Sequence, residues 1–334
     1  TAIPYDQRGS SFSKATLNSL SPLLSELRLI KSAEELENLK RACDITVEGH
    51  KSAMEFTKKD MYEYQIEAEM EKTFYDLGAE RLGYPSIVAS GDNACILHYS
   101  TNREKVDNNG LILIDAAAEF KMYSSDVTRT FPVNGKFTKV QQDVYTEVLK
   151  AQEIGIKNVT TKKTMSDIHT STVASISQSL VDLGLVPMGV EETISMMHYF
   201  EFFMHGTGHW LGLDVHDAGT TEEKNKPRKL KPGMVTTIEP GIYIRPNKPE
   251  IEFKLLERDP KKIRERRKSL GMEKATKLES EEMKDAKSIK HKIPKDLLGI
   301  GIRIEDDIVC TENDPINLTI GAPKTIDDVE AICS

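Results

Sequence analysis

The sequence predicts an α+β fold, and three observations carry that reading. Segments with apolar residues at helical spacing come in two pairs, each pair is followed by a run rich in β-formers and turn residues, and the second cycle repeats the order of the first. Residues 1–28 precede this pattern; they are mixed and Ser-rich and read as a linker or the tail of something upstream. From Ser32, SAEELENLKRACDITVEGHKSAMEF spaces its apolar residues for a helix, with Ser32 as cap and Glu35 at the capping-box position. A second helix is expected over residues 62–78. Residues 85–132 then change character, through PSIVASGDNACILHYS and GLILIDAAAEFKMYSSDVTRTFPVNG, towards strands and turns. Helical periodicity returns over 139–158 and 166–184. Strand-like segments resume with FFMHGTGHWLGLDVHD, MVTTIEPGIYI and LGIGIRIEDDIVCT. Between the last two lies a charged insertion, residues 248–292, with few positions able to pack into a core. It reads as a solvated helix or a disordered loop, with a docking surface as the sharper option.

Composition narrows the function classes. A chain of 334 residues can bury a large core, and 38% hydrophobic with 29% charged residues is a globular balance. The net charge of -8 argues against a general nucleic-acid coat, so no nucleic-acid partner is expected. No run approaches the roughly 18 apolar residues that a membrane span needs. Cys43, Cys95, Cys310 and Cys333 show no CxxC spacing and read as reduced thiols. The chain starts at Thr1, which reads as processing or a fragment, and a lost targeting peptide would leave no trace.

Chemistry concentrates in the strand-like segments. MHGTGHW places His205 and His209 four apart with Gly206 and Gly208 between them, and each glycine would cost about 1 kcal/mol in a helix. An extended segment also puts both imidazoles on one face and lets another backbone or a substrate come close. In LILIDAAAEFKMYSSDVTRTF, a reversal near Phe120 and Lys121 would set Asp115 directly opposite Asp126. Two carboxylates that close repel unless a proton or cation lies between them, and a divalent metal is the natural solution; a turn elsewhere would leave both solvated. Glu239 ends the β-like MVTTIEPG, where Pro240 and Gly241 stop the strand. In GIGIRIEDD, period two sends Ile302 and Ile304 to one face and Arg303 and Glu305 to the other. Asp115, Asp126, His209, Glu239 and Glu305 together are four carboxylates and one imidazole, a set that suits Mn²⁺, Co²⁺ or Zn²⁺ in paired sites. Such a pair activates water and polarises a carbonyl, which is hydrolase chemistry. His98, His205 and His216, next to these segments, are candidates for substrate contact and transition-state donation.

ASGDNACILHY, LIDAAAEFKMYSSDVTRTFPVNGKFT, FFMHGTGHWLGLDVHD, MVTTIEPGIYI and GIGIRIEDD, in that order, resemble the aminopeptidase P and prolidase family of metallopeptidases. The resemblance implies a pita-bread catalytic domain over residues 29–334, in which a duplicated helix pair backs a curved antiparallel sheet. It implies two divalent ions, Mn²⁺ first. Asp115 would bind one, His209 and Glu239 the other, and Asp126 and Glu305 both. Glu239 would also be the general base, His205 and His216 would contact substrate and stabilise the tetrahedral intermediate, and His98 would line the pocket. Thr128 and Arg303 would orient carboxylates. The implied activity is removal of one residue from a peptide or protein amino terminus. The neighbouring expectations are a prolidase cleaving Xaa-Pro dipeptides and a non-catalytic module binding peptides, histones or RNA, which would be expected to lose ligands. The ending PKTIDDVEAICS looks most like the family's mitochondrial branch, which implies trimming of processed mitochondrial amino termini, with a cytoplasmic enzyme as the alternative. Two features depart from the family pattern: AAAEF follows the first ligand in place of a small-Gly-acid-aromatic run, and the insertion is unusually long. Family members also carry an amino-terminal domain that helps form homodimers, so a homodimer is expected only where that domain is present.

Overall fold

In the computed structural model, which describes residues 20–224 and 226–334, the first long helix begins at its cap. The Ser32 hydroxyl accepts the Glu35 amide, the Glu35 carboxylate accepts the Ser32 amide, and the helix runs Ala33–Phe56. Glu34 and Glu35 in the first turn suit the positive end of the helix dipole. Ser32→Ala should therefore cost about 1 kcal/mol. Thermal unfolding reads this as a lowered midpoint, and an unchanged midpoint would mean that the cap contributes nothing. Of the expected linker, residues 1–19 lie outside the described residues, while Ser21–Leu29 is helical. Leu29 is buried in that helix, and Arg28 pairs with Asp214 and Asp217.

Helix Glu63–Asp76 packs on Ala33–Phe56, and a Cβ on Gly49 would come within 2.1 Å of the Phe74 ring, so only glycine permits this approach. The second pair, Lys139–Lys157 and Met165–Asp182, starts with the same device: Thr138 caps with Gln141, and Thr164 with Asp167. Each pair is followed by its own antiparallel sheet. The first sheet orders Ile87–Ser90, Leu111–Asp115 and Thr128–Pro132; the second orders Ile316–Asn317, Asp306–Val309 and Val235–Ile238. A further pair, Gly241–Tyr243 with Gly301–Arg303, lies beside them. The halves meet where the Glu305 amide donates to the Thr128 carbonyl (3.1 Å) and the Thr130 hydroxyl donates to the Arg303 carbonyl (3.0 Å). Ile302 and Ile304 are fully buried in the main core with Ile112, Ile114, Phe74 and Tyr145. Arg303 and Glu305 consequently face the seam.

Two expectations change in detail. The hairpin turns one residue later than the sequence reading has it: Lys121 and Met122 take left-handed backbone angles (φ 48° and 72°), Phe120 pairs with Tyr123, and Asp115 faces Thr128. Moving a reversal by one residue moves each partner by two, so Asp126 is not directly opposite Asp115. For the charged insertion the solvated-helix alternative holds and the disordered loop does not. Glu250–Lys254 pairs antiparallel with Ser288–Lys292, closing its base, and helices Pro260–Leu270 and Met272–Asp285 lie beyond that base, joined by Arg266–Glu282 and Arg267–Glu279 pairs. Because the base is closed, the strands on either side remain paired. No helix among the described residues is long and apolar enough to cross a membrane, and all four cysteines are free thiols.

Candidate metal centre

MHGTGHW does not form a regular strand, but its second half pairs with the backbone of the Val235–Ile238 strand. The Thr237 amide donates to the His209 carbonyl (3.0 Å), the Glu239 amide to the Thr207 carbonyl (2.8 Å) and the Leu211 amide to the Val235 carbonyl (3.1 Å). A Cβ on Gly208 would lie 1.9 Å from the Thr237 carbonyl oxygen, so this glycine is what permits the approach. That ladder brings His209 to Glu239: their nearest side-chain atoms are 3.8 Å apart, and His209 Nε2 is 3.3 Å from Asp126. The His209 Nδ1–H donates to the Trp210 carbonyl (3.0 Å), which fixes the tautomer and leaves Nε2 free to bind a cation.

Tyr84 brings the other acids together. Its hydroxyl lies 2.6 Å from an oxygen of Asp115 and 2.6 Å from one of Asp126, although a phenol has one proton to share between two carboxylates. Arg303 donates to Asp115 (2.5 Å), to the Thr128 hydroxyl (3.0 Å) and to the Tyr243 hydroxyl (2.8 Å). Thr128 in turn donates to Glu305 at 2.6 Å. Beneath them, the buried Asp307 accepts the Asp126 amide (3.0 Å) and the Ser125 hydroxyl (2.8 Å), and so fixes the backbone that carries Asp126. Burial and the Asp126 charge push the Asp307 carboxyl up to about 8.

A cavity of about 530 Å³ collects these groups. Asp115, Asp126, His209, Glu239 and Glu305 line it with His98, His205, His216 and Arg303, and Tyr84, Pro85, Ile87, Leu97 and Val215 form its apolar wall. Thr128 stands just behind, through Glu305. One ligand atom each from Asp126, His209 and Glu305 lies within 4.8 Å of the others, a separation that a bound cation can span. Electrostatics supports the same fit. Burial and neighbouring carboxylates raise Asp126, push Glu239 up to about 7 even against the His209 and Arg303 charges, and raise Glu305 well above the usual range. Although burial opposes it, the Asp126 and Glu239 charges push His209 up to about 9. The set carries more negative charge than Arg303 and His209 can balance, which divalent cations would correct.

The remaining histidines differ in setting. The His205 Nδ1–H donates to the Gly206 carbonyl (2.8 Å), and its Nε2 accepts from the Tyr243 hydroxyl (2.9 Å). Burial and the Arg303 charge push this imidazole down to about 3, so it is neutral. The His216 ring meets His209 edge-on with centroids 4.3 Å apart, and His98 lines the same cavity. Tyr84 and Tyr243 escaped the sequence reading. Tyr243 had a usable signal, because period two from Glu239 through Gly241 puts it on the same face. Tyr84, in LGYPS, had none.

Residues 37–312 match Peptidase_M24, metallopeptidase family M24. The chain is 40% identical over 309 residues to the Xaa-Pro aminopeptidase of Haemophilus influenzae, covering 92% of this chain and 62% of that protein. It is 32% identical over 322 residues to human Xaa-Pro aminopeptidase 3, covering 96% and 54%. The solved structure of Pseudomonas aeruginosa aminopeptidase PepP superposes with a TM-score of 0.80 at 38% identity, over 94% of this chain and 62% of that one. The architecture is therefore the pita-bread arrangement. The chain spans less than two thirds of the length of these relatives.

Proposed function

The chain belongs to metallopeptidase family M24, and from that premise we propose that it is a dinuclear-metal aminopeptidase that removes the first residue of peptides, acting on Xaa-Pro amino termini. The observation that carries the proposal is the convergence of Asp115, Asp126, His209, Glu239 and Glu305 on one cavity. These five residues would hold the ions, and the oxygen-rich set favours Mn²⁺. When bound, the metal pair would supply Lewis-acid polarisation and an activated water.

The chain's own residues account for the rest. Glu239, at the end of its strand beside His209 in the cavity, is placed to take a proton from the attacking water and pass it towards the leaving nitrogen. His216 is placed to steady the charge that develops on the peptide oxygen, while His205, whose N–H is taken by the Gly206 carbonyl and whose Nε2 is held by Tyr243, is placed to contact the substrate. Arg303 holds Asp115, Thr128 and Tyr243 together, so one guanidinium sets the positions of acids from both halves. The apolar wall excludes water and accepts uncharged side chains.

Protein stripped by a chelator is expected to lose hydrolysis of an Xaa-Pro tripeptide and to recover it with Mn²⁺. Full activity in the metal-free state, or none after loading, would defeat the reading. Cleavage confined to Xaa-Pro dipeptides would make it a prolidase instead. Homodimer formation where an amino-terminal domain is present belongs to the same proposal, and Leu20, Leu23, Leu24 and Leu27, exposed at and along the first described helix, offer an apolar face for it.

A further inference from the structure

Glu63 has no part in the chemistry above, yet it is fully buried at the first position of helix Glu63–Asp76. Its carboxylate accepts four hydrogen bonds. Oε1 takes the Ser90 amide (2.9 Å) and the Asn93 side-chain amide (2.9 Å), while Oε2 takes the Tyr99 hydroxyl (2.7 Å) and the Glu104 amide (2.9 Å). The Glu63 amide also donates to the Glu104 carbonyl at 3.0 Å. A buried carboxylate is costly unless satisfied, and here four donors and the positive end of a helix satisfy it. The donors begin at Ser90, end at Glu104 and include Tyr99. They therefore grip both ends and the middle of the loop that carries Leu97, His98 and Ser100 into the cavity.

We propose that Glu63 is a positioning residue for His98: through Tyr99, the immediate neighbour, it sets where that imidazole stands against the peptide. This rests on the aminopeptidase reading for its effect on rate, and on geometry alone for its effect on the ring. A residue that only stabilised the fold would act equally with or without an imidazole at position 98. A positioning residue acts only when the imidazole is there.

The test is a pair of mutant cycles at equal metal content. Tyr99→Phe removes one of the four donors without changing the volume, and Glu63→Gln removes the charge. Each is expected to lower kcat/KM roughly ten-fold in the His98 protein and by less than about two-fold once His98→Ala is present. Equal factors in both backgrounds would overturn the proposal. If Glu63→Gln does not fold, Tyr99→Phe carries the cycle alone. A second measurement is independent of turnover: NMR resonances of the His98 ring, assigned by their loss in His98→Ala, are expected to shift in Tyr99→Phe, and unmoved resonances would overturn the assignment. If the metal-loaded protein cleaves no peptide, the aminopeptidase reading fails while the NMR measurement still decides the role of Glu63.

Discussion

Glu239→Gln is expected to lower kcat on the order of 10³-fold, within the range that general-base removal produces, while leaving the protein folded. The amide keeps an oxygen where the carboxylate stood near His209 but has no basic site to take a proton. The fold should tolerate the change. Glu239 sits where the Val235–Ile238 strand ends, its backbone amide still bonds Thr207, and neutralising it relieves repulsion with Asp126 and Asp115. Steady-state kinetics alongside metal analysis and circular dichroism separate the effects. A variant within a few-fold of wild type would remove Glu239 as the base, whereas loss of metal in parallel with activity would assign the effect to its ligand role rather than to proton transfer.

Arg129→Met is expected to destabilise the protein by about 3–5 kcal/mol, the usual cost of breaking one side of a buried ion pair. The Arg129 side chain is 0% exposed and makes five hydrogen bonds. Nε reaches Pro323, Nη1 reaches the Thr128 and Glu305 carbonyls, and Nη2 reaches Asp306 (2.6 Å) and the Ala322 carbonyl. Methionine fills the space but leaves Asp306 with Lys324 as its remaining cation. Burial alone would raise the Asp306 carboxyl, but the Arg129 and Lys324 charges hold it well below the usual carboxylate range. A depressed value in the folded state means that the ionised form stabilises the fold above the ordinary carboxylate range, and that this stability is lost as pH falls towards the folded-state value. Removing Arg129 raises that folded-state value, so the destabilisation relative to wild type is expected to be largest near neutral pH and to narrow as pH falls below the ordinary carboxylate range. Urea unfolding across pH measures both effects. A loss below about 1 kcal/mol at neutral pH would show that the pair contributes little.

Local chemistry explains what could be read in advance. Ser32 with Glu35 and Thr138 with Gln141 mark helix starts because a cap is made within four residues of chain. Arg303 and Glu305 stand out because charge on one face of an otherwise apolar strand has few structural explanations. The hairpin register was not legible in the same way. Its turn uses Lys121 and Met122 at positive φ rather than Asn-Gly or Gly-Gly, so sequence could not mark the reversal to the residue. Tyr84 and Glu63 were hidden for a different reason: a tyrosine and a glutamate near helix Glu63–Asp76 gain meaning only when distant strands deliver Asp115, Asp126 or Ser90 to them. The order of the insertion was likewise tertiary, because its base closes through strand pairing across 33 intervening residues.

The two halves contribute unequal shares to one small chamber, and no secondary-structure element belongs to both. The spacing between the carboxylates of Asp126 and Glu305 is thus a measure of docking between layers, set partly by Arg129 and by the carboxy-terminal residues it grips. The tail near Pro323, remote from the chamber along the chain, is tied by that one guanidinium to the backbones of Thr128 and Glu305 at its wall.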